Sequence, residues 1–361
     1  MTVVNLLGIF KNNENYLTWL LHNITNIQEK ANVQFHCCFY ENNSSDNTKR
    51  LIVEIGKLCY SSSTKHENIR NFGKFSRTKL LSIIRNKSKD QLDLDLQKTI
   101  ILDSDIYFDY HIISELCKSI SDDVVMVVPQ TSVLEQYPCK YYYDMFAFRQ
   151  VKGSEENNKS LYACDEYHNN TMCCISNNDC IFEKQQDNFI YSGFGGIICI
   201  QTNVLKNCDW SVKKDECEHV HFCTHVNEYG KIQIKSNIYP LWSKNIHGYN
   251  FDNMTFDEIQ KLLLLIYNLK FEISNDLLKE IIHQEEDIQK RIIIVFKAYK
   301  YILKREPDKD GLKTYLNYLK KYDEIDLYNL FLSSNEYKSK SIETLLLCSK
   351  CKELSLHSIL N

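Results

Sequence analysis

Thr99-Ile100-Ile101-Leu102-Asp103-Ser104-Asp105 is the stretch that decides the fold. A short β-favouring apolar run stops abruptly at two carboxylates, which is how a strand buried on both faces of a parallel sheet ends. Working outward, the chain on either side alternates similar runs with amphipathic stretches. Upstream, Val3–Phe10 and Val33–Glu41 are expected strands. Between them Asn13–Lys30 carries Tyr16, Leu17, Leu20, Leu21, Ile24 and Ile27 at helical spacing. Ser45-Asp46-Asn47-Thr48 offers caps for a helix running to about Leu58, and Phe75–Ser88 is a further amphipathic helix. Downstream, Asp109–Ile120 is an expected helix and Val124–Pro129 an expected strand.

Strands alternating with helices imply an α/β fold built from right-handed βαβ units around a mostly parallel sheet. Such sheets bind ligands beyond the carboxyl ends of their strands. That rule selects Phe10-Lys11, Glu41-Asn42-Asn43 and Asp103-Ser104-Asp105 as one rim. The polar, Asn- and Cys-rich Gln150–Asn188 breaks the alternation and is expected to be a long loop beside the site. Gly193-Phe194-Gly195-Gly196 then leads into a strand at Ile197–Ile200, followed by a helix within Asp215–Glu228 and a strand at Lys231–Tyr239. From about Asn253 the pattern is helical only. The expected organisation is an α/β domain over 1–250, connecting helices over 251–288 and an all-α C-terminal module over 289–361.

Composition narrows the function classes. The 361 residues leave room for two or three domains. A net charge of −4, from 43 basic and 47 acidic residues, provides no broad field for nucleic acid or an anionic membrane. No apolar run approaches the ~20 residues that span a bilayer; the longest, Leu262–Ile266, is an expected buried helix. The 15 cysteines are odd in number and irregularly spaced, with adjacent pairs at Cys37-Cys38 and Cys173-Cys174. Thr2–Phe10 is too short, and lacks the basic residues, for a signal peptide. Reduced thiols in a cytoplasmic setting are therefore expected, in a host's cytoplasm if the Lys-, Asn- and Ile-rich usage belongs to a virus. Cys348-x-x-Cys351 has no second pair at zinc-site spacing.

Several clusters have side chains suited to chemistry. Asp103 and Asp105, at i and i+2, point the same way if the chain stays extended, and can then share a hard divalent cation such as Mn²⁺ or Mg²⁺. The plain alternative is a turn with a cap before the helix at Asp109. Glu41 and Asn42 offer groups for a nucleoside, or belong to a polar loop with a helix cap. Arg77 and Arg85, eight residues apart on one helix, share a face; guanidinium forks suit diphosphate oxygens, and Arg85-Asn86 is the better placed. Asp215-Glu216-Cys217-Glu218-His219-Val220-His221 gathers acids and imidazoles at a helix start, where an acidic first turn is also favoured by the helix dipole. A carboxylate there can serve as a general base. His247 follows the last expected strand, either returning to the rim as a third metal ligand or lying on the surface.

In order and spacing these segments resemble the GT-A glycosyltransferase fold, and more closely the family of fungal capsule-associated α-1,3-mannosyltransferases and viral relatives. The matching text is Phe39–Asp46 (FYENNSSD), Arg85-Asn86, Ile100–Phe108 (IILDSDIYF), Tyr142–Phe148 (YYDMFAF), Ser192–Ile198 (SGFGGII) and Cys217–Phe222 (CEHVHF), across roughly residues 3–245. The resemblance implies transfer of a sugar from a UDP- or GDP-linked donor to a hydroxyl of a glycan or glycoprotein. It implies Asp103 and Asp105 on the metal and the donor diphosphate. Glu41 and Asn42 would sit by the nucleoside, the Gly193–Gly196 loop, with Gly195 and Gly196, would line the acceptor side, and Glu218 would be the base if the enzyme inverts. From their places on the rim and helix, Phe10, Arg85 and Ser104 are added to the expected donor-nucleotide site. Around Ile292–Lys340, R-x-P-D-x-x-G-L (Arg305–Leu312) and F-L-x-S-x-E-Y (Phe331–Tyr337) resemble a phycobilisome-linker-like helical domain of unknown function. Core packing rather than catalysis is expected there.

Two other functions fit parts of the pattern. An aspartyl phosphatase also uses D-x-D, but after the first strand and with a small hydroxyl or branched residue where Tyr107 stands. A non-catalytic carbohydrate-binding or scaffolding protein would account for the helical tail.

Overall fold

The computed structural model describes residues 1–69, 75–129, Ala147, 188–212, 217–235, Ile238, 240–242, parts of 255–263, and 286–339 apart from 304 and 306. Contacts divide the chain into two units, Met1–Lys270 and Phe271–Asn361. Outside the described residues lie Tyr142–Phe148 except Ala147, residues 150–187 of the expected loop, Asp215-Glu216, His247, most of the expected connecting-helix region and the Cys348–Cys351 pair.

The first unit runs β1 (Thr2–Phe10), α1 (Glu14–Ala31), β2 (Val33–Asn42), α2 (Thr48–Lys57), β3 (Ser61–Glu67), α3 (Arg77–Ser88), β4 (Lys98–Leu102), β5 (Ile106–Tyr107), α4 (Tyr110–Ser119), β6 (Val124–Pro129), β7 (Asn188–Ile190), β8 (Ile197–Gln201), α5 (Thr202–Asn207), α6 (Glu218–Val226), β9 (Lys231–Lys235) and β10 (Leu241–Trp242). Eight strands form one sheet in the order β3-β2-β1-β4-β8-β6-β9-β7; β5 and β10 form a separate antiparallel pair. The apolar runs are almost wholly buried, as strands covered on both faces must be.

The expectation of an α/β fold with a mostly parallel sheet holds. β8 lies antiparallel between β4 and β6, and β7 antiparallel to β9, so the sheet is mixed and mostly parallel. The reversal has a local cause. Gly195 and Gly196 have φ of 66° and 77°, in the left-handed region that glycine enters without strain. They turn the chain at the carboxyl end of β4, so that Ile197 starts β8 opposite Leu102. The strand order also reverses between β1 and β4: the chain builds β1, β2 and β3 to one side and then places β4 on the other. That switch point leaves a crevice between the carboxyl ends of β1 and β4.

β3, Ser-Ser-Ser-Thr-Lys-His-Glu, was not expected from the sequence. Having no apolar face, it is held by backbone pairing to β2 from His36↔Ser61 to Asn42↔Glu67, at the sheet edge. Among the described residues no helix is long and apolar enough to cross a membrane.

The second unit contains α7 (Glu286–Ala298), α8 (Lys309–Tyr318) and α9 (Glu324–Ser333). The residues of its two sequence motifs fasten it. Arg305 donates to both carboxylate oxygens of Glu336 at 2.7 and 3.0 Å and lies 4.7 Å from the Tyr299 ring centre. Asp308 caps α8 through Gly311 N at 2.7 Å. A Cβ at Gly311 would sit 2.1 Å from Tyr299 Oη, so no larger residue fits without movement.

Candidate active site

Asp103 follows directly from the buried end of β4, and its N–H donates to Gly196 O at 2.7 Å. Ser104 and Asp105 form a turn before β5. The chain is therefore not extended through the triplet, and the expected i, i+2 alignment along a strand gives way to two carboxylates presented from a tight turn. Aromatic packing clamps that turn. Tyr16 Oη donates to Ile106 O at 2.8 Å, and Trp19 meets Tyr107 and Phe108 edge-on at 4.8 and 5.5 Å. Burial, then the charge of Asp105, pushes the Tyr16 hydroxyl well up from its ordinary value and keeps it a neutral donor. At Gly196 a Cβ would lie 2.3 Å from Ile106 Cγ1, so the backbone of this loop packs straight onto β5. Capping of α4 falls to Asp109, whose carboxylate accepts from the N–H groups of His111 and Ile112 at 3.0 and 3.2 Å. The capping alternative for Asp103 and Asp105 is thus already filled by another residue.

Arg85 approaches from α3. Its Nη2 donates to Asp103 Oδ1 at 2.9 Å, and its Nε lies 3.6 Å from Glu218 Oε1. The Arg85 and Glu218 side chains are 6% and 5% exposed, so the contact is desolvated. Burial disfavours the guanidinium charge, but Asp103 and then Glu218 overcome that and raise its pKa. Phe194 lies 5.0 Å from the guanidinium and stacks at 3.8 Å on His219. Burial, then the charge of Arg85, holds His219 well below its ordinary pKa. Its Nδ1 accepts from Trp210 Nε1 at 3.4 Å, which leaves the ring proton on Nε2, 3.7 Å from Glu218 Oε1. Glu218 opens α6, where the helix dipole favours a carboxylate.

The third strand end is arranged differently from expectation. Glu41 is fully buried, with Oε1 accepting from Ser44 N at 2.6 Å and Oε2 near His66 Nδ1 at 3.3 Å and Lys49 Nζ at 3.8 Å. It fixes the loop after β2. Asn12 Oδ1 takes Ser45 N at 2.9 Å, Thr48 Oγ1 takes Asn13 N at 2.8 Å and Asp46 takes Glu14 N at 3.1 Å, joining the loops after β1 and β2. Asn42, only 3% exposed, has an Nδ2 with no hydrogen-bond partner among the described residues.

These elements enclose a cleft of about 530 Å³ at the switch point, lined by Phe10, Lys11, Asn42, Arg77, Leu80, Ile84, Arg85, Asp103, Ser104 and Asp105. Phe10, Asn42, Arg85, Asp103, Ser104 and Asp105 of the sequence-derived set therefore meet on one surface. Glu41, Gly195, Gly196 and Glu218 are buried beside it and absent from its lining. Arg77, the less well placed of the two arginines on α3, also lines it. The sequence reading missed Phe194 as the ring beneath Arg85; its setting between glycines, in a loop already singled out, was the available signal. Ala147, in another quoted segment, is buried, and its carbonyl accepts from Ser192 Oγ at 2.5 Å. Among the described residues no three His, Cys, Asp or Glu side chains gather to hold a metal by themselves.

No protein-family profile and no curated protein matches the chain. Among solved structures, it is similar to S. aureus TarS in complex with UDP-GlcNAc, at 14% identity and a TM-score of 0.41 over 92% of this chain and 90% of that one. It is also similar to the mannosyltransferase PcManGT from Pyrobaculum calidifontis in complex with GDP-Man and Mn²⁺, at 10% identity and a TM-score of 0.42 over 97% and 86%. The galactosyltransferase LgtC, in complex with donor and acceptor sugar analogs, matches at 10% identity and a TM-score of 0.33 over 64% and 73%. All three likenesses are remote in sequence and in superposition.

Proposed function

We propose that the chain is a GT-A glycosyltransferase that binds a nucleoside diphosphate sugar, UDP- or GDP-linked, in the switch-point cleft and transfers the sugar to a hydroxyl of a glycan or glycoprotein. One observation carries this: the Asp103–Asp105 turn shares a single cleft with Lys11, Arg77 and the unpartnered amide of Asn42. An apolar wall of Phe10, Leu80 and Ile84 completes it. Acids, cations, an unused donor and an apolar wall match a metal diphosphate attached to a nucleoside.

The donor set fits Mn²⁺ or Mg²⁺. Both carboxylates line the cleft, Asp103 is 22% exposed, and Arg85 occupies its Oδ1 only. Such cations commonly take one or two carboxylates and fill the remaining positions with water and substrate phosphates, so a third protein ligand is not required. His247 is a candidate further ligand: Trp242 pairs with Ile106 and so brings the chain beside Asp105 five residues before it. When bound, the cation supplies Lewis-acid stabilisation of the diphosphate leaving group. Arg77 and Lys11 are assigned to the phosphate oxygens and Asn42 to the nucleoside, in place of Arg85 and Glu41. Arg85, held by Glu218, keeps the Asp103 carboxylate aimed into the cleft. For Glu218 to act as base, Arg85 must first release it; the geometry supports the supporting role.

The reading is tested by incubating the full chain with UDP- and GDP-sugars and Mn²⁺ and following nucleotide release. Release that needs Mn²⁺ and disappears in Asp103→Asn is expected. Phosphate released from a generic phosphomonoester, with nucleotide sugars untouched, would place the chain among phosphatases instead.

A further inference from the structure

Cys37 and Cys59 stand apart from the cleft and have no part in the proposed reaction. Cys37 lies buried in the middle of β2, paired with Leu6 on one side and Ser62 on the other. Cys59 lies in the turn after α2, half-buried between the exposed Leu58 and Tyr60. Their sulfurs are 3.2 Å apart, inside the usual contact distance of two non-bonded sulfur atoms. Both backbones are anchored: Cys59 N donates to Gly56 O at 3.4 Å, and Tyr60 N to Phe35 O at 3.0 Å, two residues before Cys37. The neighbouring Cys38 is separately engaged, its thiol 3.4 Å from Asn5 Oδ1.

We propose that Cys37 and Cys59 are an oxidative modification site that closes to a disulfide when a small disulfide such as oxidised glutathione is present. The Cys59 thiolate attacks one glutathione sulfur, forming a mixed disulfide and expelling one glutathione thiolate. Cys37 then loses its proton and attacks Cys59 Sγ, expelling the second. The protein gives up two electrons and two protons in all, and one glutathione disulfide becomes two thiols. Cys59, reachable from solvent, is the entry thiol. Burial, then the hydrogen bond to Cys59, pushes the Cys37 thiol well up, which makes its attack the slow step. The bond would close a loop of 22 residues containing α2 and the rim residues Glu41 and Asn42.

The test uses the reduced full chain, incubated with oxidised glutathione, alkylated and mapped without reduction, with fragmentation to separate Cys37 from Cys38. The expected result is a Cys37–Cys59 link that dithiothreitol reverses, a melting temperature raised by about 5–10 °C, and neither effect in Cys59→Ser. Cys38→Ala should still form the link. A glutathione adduct that persists on Cys59, a link through Cys38, or no loss of free thiol at either position would overturn the proposal.

Discussion

Asp103 and Arg85 illustrate how a residue's surroundings revise the role suggested by its type. From sequence, Arg85 was a diphosphate ligand and Glu218 a base; in the structure the guanidinium lies between Asp103 and Glu218, over the Phe194 ring. No spacing rule brings residues 85, 103 and 218 together, so this contact was not legible, whereas the two cleft-lining carboxylates were. Removing Arg85 leaves two carboxylates without their cation, so Arg85→Met is expected to cost about 3–5 kcal/mol. Glu218→Gln, which keeps the shape and loses one charge, should cost less. Urea denaturation of both and of the double variant checks this: a coupling well above zero is expected, and additive costs would separate the two residues. His219 yields a pH prediction. Its folded pKa is depressed by burial, so it favours the fold above the unfolded value of about 6.5 and that contribution is lost as pH falls from there through the folded value. His219→Gln should flatten the loss of stability between neutral and mildly acidic pH. An unchanged slope would show that other groups carry it.

At the scale of elements, what could be seen in advance depended on burial. β1, β2, β4 and β6 carry continuous apolar runs and were legible; β3 is polar, and β5, β7 and β10 are too short to show a period. The direction of β8 was not legible, because an apolar run has no polarity; the two glycines before it signalled a special turn without its direction. That turn is sensitive. Gly196→Ala places a side chain at φ 77° and 2.3 Å from Ile106, an expected loss of about 2–4 kcal/mol. Chemical denaturation measures it, and a change under 1 kcal/mol would mean that β5 yields more easily than its packing implies.

Across the whole molecule, the cleft lies where α/β folds bind ligands. The chain reverses its direction of sheet growth between β1 and β4, and Lys11, Asn42 and Asp103 follow the ends of neighbouring parallel strands or close them. Alternation of strands and helices was enough to predict that rim; the mixed sheet behind it was not needed. In the second unit, Arg305, Asp308, Gly311 and Glu336 bond or pack within the unit. Gly311→Ala should therefore destabilise that unit, by about 1–3 kcal/mol, and leave any nucleotide-induced stabilisation of the chain unchanged. The most direct measurement is the melting temperature of the full chain with UDP or GDP, with and without Mn²⁺, since a ligand that binds only the folded state raises it. One nucleotide is predicted to raise it with Mn²⁺ present and much less without; Asp105→Asn should lose the metal-dependent part while keeping the unliganded melting temperature, and Asp103→Asn should lose it too, from an unliganded melting temperature lowered by the loss of the Arg85 contact. No shift with either nucleotide and Mn²⁺, or a shift that survives both substitutions, would contradict a donor site at the Asp103–Asp105 turn.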